Sequence, residues 1–99
     1  MSMQVEATGV FCYKDESQYH EFLNIFTDAQ GFPATFEEWE QLNEKLIQKT
    51  ESSGVIVVRA YAESTNSFVD FCRRHEKGVN SEGRRYFASA KAADYLRSR

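Results

Sequence analysis

The stretch VIVVRAYA, residues 55–62, is the most clearly strand-forming segment of this 99-residue sequence. It begins with β-branched residues and carries an aromatic side chain at Tyr61, and both residue types favour strands. Gly54 and Ser64 bound it, as turn-forming residues commonly bound a strand. Its unbroken apolar start predicts a strand that is buried on both faces there and lies at the centre of a sheet.

Two helices are predicted before this strand. Thr35 and Glu38 have the spacing of a capping box, so a helix should begin there and end at residues 52–54. Its apolar residues should face inward, and they are Phe36, Trp39, Leu42, Leu46 and Ile47. An earlier helix, capped by Asp15 or Ser17, has an apolar face of Tyr19, Phe22, Leu23 and Phe26. Before it, alternation from Gln4 to Tyr13 predicts a first strand.

Two further helices are predicted after it. Ser64 or Thr65 should cap a helix whose apolar face is Phe68, Phe71, Cys72 and His75. From Asn80 or Ser81 a last helix should run to the carboxyl terminus with an inward face of Tyr86, Phe87, Ala90, Ala93 and Leu96. An alternative makes residues 84–88 a short third strand, because two strands alone are marginally stable in water.

The predicted order is therefore strand, helix, helix, strand, helix, helix, which is typical of a small α+β domain. We expect a two- or three-stranded sheet covered by about four helices. Residues 1–99 should form one domain, because chains divide into separate cores only well beyond roughly 100–150 residues. An apolar fraction of 41%, with eight Phe and five Tyr, suffices for a packed core.

The cysteine content and the hydropathy predict a cytoplasmic protein. Cys12 and Cys72 are too few for the disulfide framework of a small secreted domain. The longest apolar run, residues 55–58, is far shorter than the roughly 18 residues of a membrane span. The first residues resemble no secretory signal. Both thiols are expected to be buried.

Charge is divided unevenly along the chain. Residues 1–52 contain three lysines and ten acidic residues, a net charge of −7, whereas residues 53–99 contain nine basic and five acidic residues, a net charge of +4. The two halves either attract each other on folding or provide a surface for a charged partner.

Motifs for catalysis are incomplete. His20-Glu21 begins like a zinc-protease motif, but Asn24 occupies the place of the second histidine. Residues 78–85 have the glycine spacing of a phosphate loop but lack its lysine and its hydroxyl residue. Cys72 and His75 share a predicted helix face, where a core thiol is a simpler interpretation than a metal ligand. We therefore expect no enzymatic activity, no cofactor and no metal.

The function favoured by these patterns is protein recognition by an adaptor, an inhibitor or an immunity-type domain. The acidic helix would contact a basic partner through charge complementarity, with an aromatic anchor at its start. The residues assigned to this contact are Glu37, Trp39, Glu40 and Glu44. An uncovered sheet edge would also permit a homodimer.

The alternative function is nucleic-acid binding by the basic carboxyl-terminal pair of helices. Residues 84, 88, 91 and 95 are spaced four, three and four apart, which predicts an outward basic and aromatic stripe on the last helix. The residues assigned to phosphate contact are Arg73, Arg74, Arg84, Arg85, Lys91 and Tyr95. The pI of about 5.4 argues against this alternative, because nucleic-acid readers are usually basic overall.

Overall fold

A computed structural model describes residues 6–98 and confirms the predicted α+β class and element order. The predicted first strand began at Gln4, so its first two residues lie outside the described part of the chain. Residues 84–88 are helical, so the alternative third strand is wrong. The elements are β1 (Ala7–Cys12), α1 (Glu16–Ile25), α2 (Phe36–Glu51), β2 (Ile56–Tyr61), α3 (Thr65–Arg74) and α4 (Ser81–Arg97).

The two strands form a parallel sheet in which Ala7 lies opposite Ile56 and Cys12 lies opposite Tyr61. Parallel strands need a long crossover connection, and α1 and α2 together provide it. Since the described residues form only these two strands, β2 has no central position in a sheet. The prediction that it lies at the centre and is buried on both faces at its start is wrong, because Ile56, Val57 and Val58 are only half-buried.

The sheet is covered by a helix on each face. On one face α4 approaches β1 so closely that a Cβ atom added at Gly9 would lie 2.0 Å from the backbone oxygen of Ala88. On the other face the Asn43 side chain of α2 is within 3.6 Å of the Cys12 sulfur. Gly9 and Cys12 differ by an odd number of positions, so their side-chain directions belong to opposite faces. These two layers replace the neighbouring strands that a two-stranded sheet lacks.

The core is an aromatic cluster centred on Phe11. Its ring makes edge-to-face contacts with four other phenylalanines, at centroid-to-centroid distances of 4.9 to 6.3 Å: Phe22, Phe26, Phe68 and Phe87. These residues belong to α1, to the position directly after α1, to α3 and to α4, respectively. Edge-to-face pairs of this kind contribute about 0.5–1.5 kcal/mol each beyond the burial of their area. Phe11 therefore ties β1 to α1, α3 and α4 at once.

Side-chain caps begin all four helices at or beside the predicted positions. Asp15 and Thr35 accept hydrogen bonds from the backbone N–H groups of residues 18 and 38. The reciprocal capping box occurs at Ser64 and Ser67 instead, where two hydroxyls replace the usual hydroxyl and carboxylate. Asn80 accepts from two successive N–H groups at the start of α4. Each cap fixes the residue at which a helix begins.

The inward faces predicted for α2 and α4 are partly wrong. In α2, Ile47 is buried as expected, but Leu42 is 59% exposed and Leu46 is 55% exposed. In α4 the side toward the sheet is formed by smaller residues as well as Phe87, whereas Tyr86 is 42% exposed and Leu96 is 38% exposed. Since apolar residues lie all round α4, its sequence does not select one face, whereas close packing on β1 demands small side chains such as those of Ala88 and Ala92.

Candidate functional site

A groove of about 320 Å³ runs along the edge of β1 that β2 does not cover. Three consecutive strand residues line it, together with residues of α2 on one side and of α4 on the other: Gly9, Val10, Phe11, Leu46, Ser81, Arg84, Arg85 and Ala88. Consecutive strand residues point to opposite faces, so a cavity that touches all three and both covering helices lies along the strand edge. The groove therefore borders the outer edge of β1.

The sheet register shows which backbone groups face this groove. The N–H of Ile56 donates to the carbonyl of Glu6, so Glu6 points its carbonyl toward β2. In a parallel pair, alternate residues direct both N–H and C=O to the same neighbour. The backbone N–H and C=O groups of Thr8 and Val10 therefore point toward β2. Those of Ala7, Gly9 and Phe11 point away from β2, toward the outer edge of the sheet. Among the backbone hydrogen bonds that reach outside the helices and strands of residues 6–98, none involves Gly9 or Phe11.

The α2 side of the groove is apolar. Leu46 lines it, and Leu42, one helical turn earlier on the same side of α2, is equally exposed. Exposed leucines at this spacing form a continuous apolar line instead of isolated surface residues. Sequence reasoning missed this surface because it assigned both leucines to the core.

The α4 side of the groove is basic, but its two arginines differ. The Arg84 guanidinium donates to both carboxylate oxygens of Asp28, at 2.9 and 2.8 Å, and its central carbon lies 4.4 Å from the Phe26 ring centroid and 5.0 Å from that of Phe32. Asp28 also accepts from the backbone N–H of Ser81 at 2.9 Å. These hydrogen bonds, above all that from Arg84, hold the pKa of Asp28 below its ordinary value. Arg84 thus fastens the connector after α1 to the start of α4.

Arg85 has no such role. It is exposed, and no acidic side chain within residues 6–98 forms an ion pair with it. Both charged residues that line the groove are arginines, and the charge of Arg84 is already balanced by Asp28. Among the residues that line the groove, the positive charge without an acidic partner is therefore that of Arg85.

The residues assigned to an acidic docking surface lie away from the groove. Glu37 and Glu40 are exposed on α2, whereas Glu44 accepts two hydrogen bonds from Arg59 of β2, at 2.5 and 3.1 Å. These bonds lower the pKa of Glu44. Trp39 is half-buried, with its ring centroid 4.8 Å from that of Tyr13. Trp39 and Glu44 therefore fasten α2 to the sheet.

The six residues assigned to phosphate contact do not form one surface. Arg74 and Lys91 line a second cleft, of about 420 Å³, between α3, α4 and the end of β2. Arg84 and Arg85 lie on the other flank of α4, in the groove. Arg73 is paired with Asp70 on the surface of α3 and Tyr95 is exposed near the end of α4; neither lines the groove or the second cleft.

The predicted outward stripe on α4 is also wrong in its first half. Ala88 is buried against Gly9, and the Arg84 side chain is only 14% exposed. This part of α4 faces the sheet, because only its small residues allow the helix to approach the backbone of β1.

Both cysteines are free and buried, as predicted. Burial raises the pKa of the Cys12 thiol and of the Cys72 thiol, which disfavours the reactive thiolate. Within residues 6–98, no three histidine, cysteine or acidic side chains lie where they would hold a metal ion. In the same range no helix is both long and apolar enough to cross a membrane.

Comparison of the chain with protein-family models, with curated proteins and with solved structures found no match.

Proposed function

We propose that this protein is a non-enzymatic interaction module that binds an extended segment of a partner protein along the free edge of β1. The proposal is carried by the outer edge of β1, where the register directs the N–H and C=O groups of Gly9 and Phe11 away from β2, beside a groove lined by Leu46 and Ala88. Unpaired groups on a strand edge are a template for an additional strand, and peptide-binding domains use such edges.

The exposed leucines support the same proposal. A segment lying along the edge would cover Leu42 and Leu46, each of which exposes more than half of its surface. Completing the burial of a half-exposed leucine contributes roughly 1 kcal/mol. The outward backbone groups then provide the register, and the leucines provide much of the affinity.

The acidic residues of α2 have a secondary place in this proposal. Glu44 binds Arg59 over β2, on the flank of α2 opposite Leu46. Glu37 and Glu40 are exposed but line neither cavity. Charges outside a binding groove act mainly on the rate of association, through long-range steering. The proposed contact residues are accordingly those of the β1 edge.

We also propose that the protein is cytoplasmic. Cys12 and Cys72 are both free and buried. Unpaired thiols of this kind are typical of proteins in a reducing compartment.

The first test is amide hydrogen exchange on the free protein. Thr8 and Val10 donate to β2 and should exchange slowly, whereas Gly9 and Phe11 should exchange faster. This alternation along one strand is expected only if the outer edge is free. Equal protection of all four amides would contradict the proposal, because it would mean that the edge is already covered.

The second test is selection of binders from a phage-displayed library of random peptides. Selected peptides should shift the amide resonances of Gly9 and Phe11 and slow their exchange. The variant Leu46→Gln should bind them at least several-fold more weakly, because it places a polar group in the apolar side of the groove. The matched control Leu96→Gln changes an exposed leucine at the far end of α4 and should bind normally. Peptides that shift only resonances elsewhere would refute the assigned edge.

A further inference from the structure

We infer that the segment bound at this edge is a strand in which large aliphatic side chains alternate with acidic ones, the aliphatic side facing α2 and the acidic side facing α4. This inference rests on the proposed function and names the chemistry of the partner. It follows from the difference between the two walls of the groove, since successive side chains of an added strand point to opposite walls.

The α2 wall selects aliphatic side chains. Leu46 lines it, and the exposed Leu42 lies one helical turn earlier on the same side of α2. A polar side chain placed against them would lose water without gaining a hydrogen bond, whereas an aliphatic one is stabilised by burial. Exposed Lys45 and Lys49 each follow one of these leucines by three positions, so their charges lie beside the line and also favour an acidic segment.

The α4 wall selects acidic side chains. Its charged groups are Arg84 and Arg85, and Asp28 already balances the charge of Arg84. Arg85 is exposed and has no acidic partner within residues 6–98, so a carboxylate on the added strand can accept from its guanidinium.

The same charges disfavour a second copy of this chain as the occupant. Two β1 strands that paired antiparallel about Gly9 would place α4 beside α4 and α2 beside α2. Arg85 would then approach its own counterpart, and so would Lys45 and Lys49. Like charges brought together at an interface oppose association, and lysines beside an edge are a common device against self-pairing.

The experiment uses the full chain and two synthetic peptides, one alternating valine with glutamate and the other alternating valine with lysine. The glutamate peptide should bind more tightly and shift the Gly9 and Phe11 amides. The variant Arg85→Glu should weaken its binding by roughly tenfold, the equivalent of one partly screened charge pair, and should reverse the preference between the peptides. The control Arg73→Glu reverses a charge on α3, away from the groove, and should change neither affinity.

The outcomes separate this inference from the proposed function. Equal affinity for the two peptides, or no effect of Arg85→Glu, overturns the acidic assignment, while library peptides that still shift Gly9 and Phe11 uphold the edge as the binding site. If neither the peptides nor any library member shifts these amides, both are overturned. A dimer by light scattering, with Gly9 and Phe11 protected in the free protein, would identify a second copy as the occupant and would also overturn the inference.

Discussion

Replacement of Asp28 by asparagine should destabilise the protein far more than an ordinary surface substitution. Asp28 accepts two hydrogen bonds from Arg84 and one from the backbone of Ser81. Asparagine retains one acceptor but loses the charge, so Arg84, only 14% exposed, is left without a counterion. A charge-assisted bond contributes about 1.5–3 kcal/mol when it is buried, and the 37% exposure of Asp28 reduces this through solvent screening. We expect a loss of about 2 kcal/mol, or roughly 10 °C in Tm.

The pH dependence gives an independent check on the same contact. The pKa of Asp28 is lower in the folded protein than in the unfolded chain, where it is about 3.9. Its contribution is therefore fully present above about pH 4 and is lost as the pH falls through the folded-state pKa. The difference in stability between the native protein and Asp28→Asn should be constant near neutral pH and should narrow below about pH 4.

The assay is urea unfolding followed by the fluorescence of Trp39, the single tryptophan. The matched control is Asp70→Asn, which removes an exposed ion pair on α3, in which the Arg73 nitrogen and the Asp70 oxygen are 3.5 Å apart. This control should lower the free energy of unfolding by less than about 0.5 kcal/mol. If Asp28→Asn costs no more than this control, or if its cost does not change at low pH, the structural role assigned to Arg84 is refuted.

Three further predictions concern packing. Gly9→Ala should lower the free energy of unfolding by about 3 kcal/mol or more, because the added Cβ would overlap the backbone of Ala88. Thermal unfolding measures this change, and a loss below about 1 kcal/mol would exclude the close approach of α4 to β1. In urea unfolding, Leu46→Gln should lower the free energy of unfolding by less than about 0.5 kcal/mol, and Ile47→Ala should lower it by about 2–5 kcal/mol. The reverse order would mean that α2 turns a different face toward the sheet. Cys72 should react with a thiol reagent only when the protein unfolds, since burial raises its pKa, and rapid labelling of native protein at neutral pH would contradict this.

Local signals in the sequence account for the elements and their order. Each helix start has a hydroxyl, carboxylate or amide side chain that accepts hydrogen bonds from nearby N–H groups, and such caps act within a few residues. The alternation before Tyr13 and the β-branched run at residues 55–58 likewise depend on neighbours in the chain. These interactions need no knowledge of the tertiary arrangement, so the sequence predicts them.

The orientation of α2 and α4, and with it the candidate site, depends on contacts between distant residues. The spacing of Leu42 and Leu46 fits an inward face as well as an exposed one, and only the position of β1 distinguishes them. Gly9 carries no sign that a helix will pack against it. Arg84 and Asp28 are 56 positions apart, so no local pattern shows that this arginine is already paired. The free strand edge follows from the parallel pairing of β1 with β2, which no local pattern determines.

The parallel pairing also determines when the two strands can pair during synthesis of the chain. Ala7 lies opposite Ile56, 49 positions later in the chain, so the two strands cannot pair until both crossover helices and β2 have been synthesised. At translation rates of about 5–20 residues per second, β1 therefore has no neighbouring strand at either edge for several seconds. Contacts so distant in sequence also slow refolding. During synthesis β1 therefore stays unpaired until β2 has been made, and α4, which follows β2 in the chain, then covers one face of the sheet.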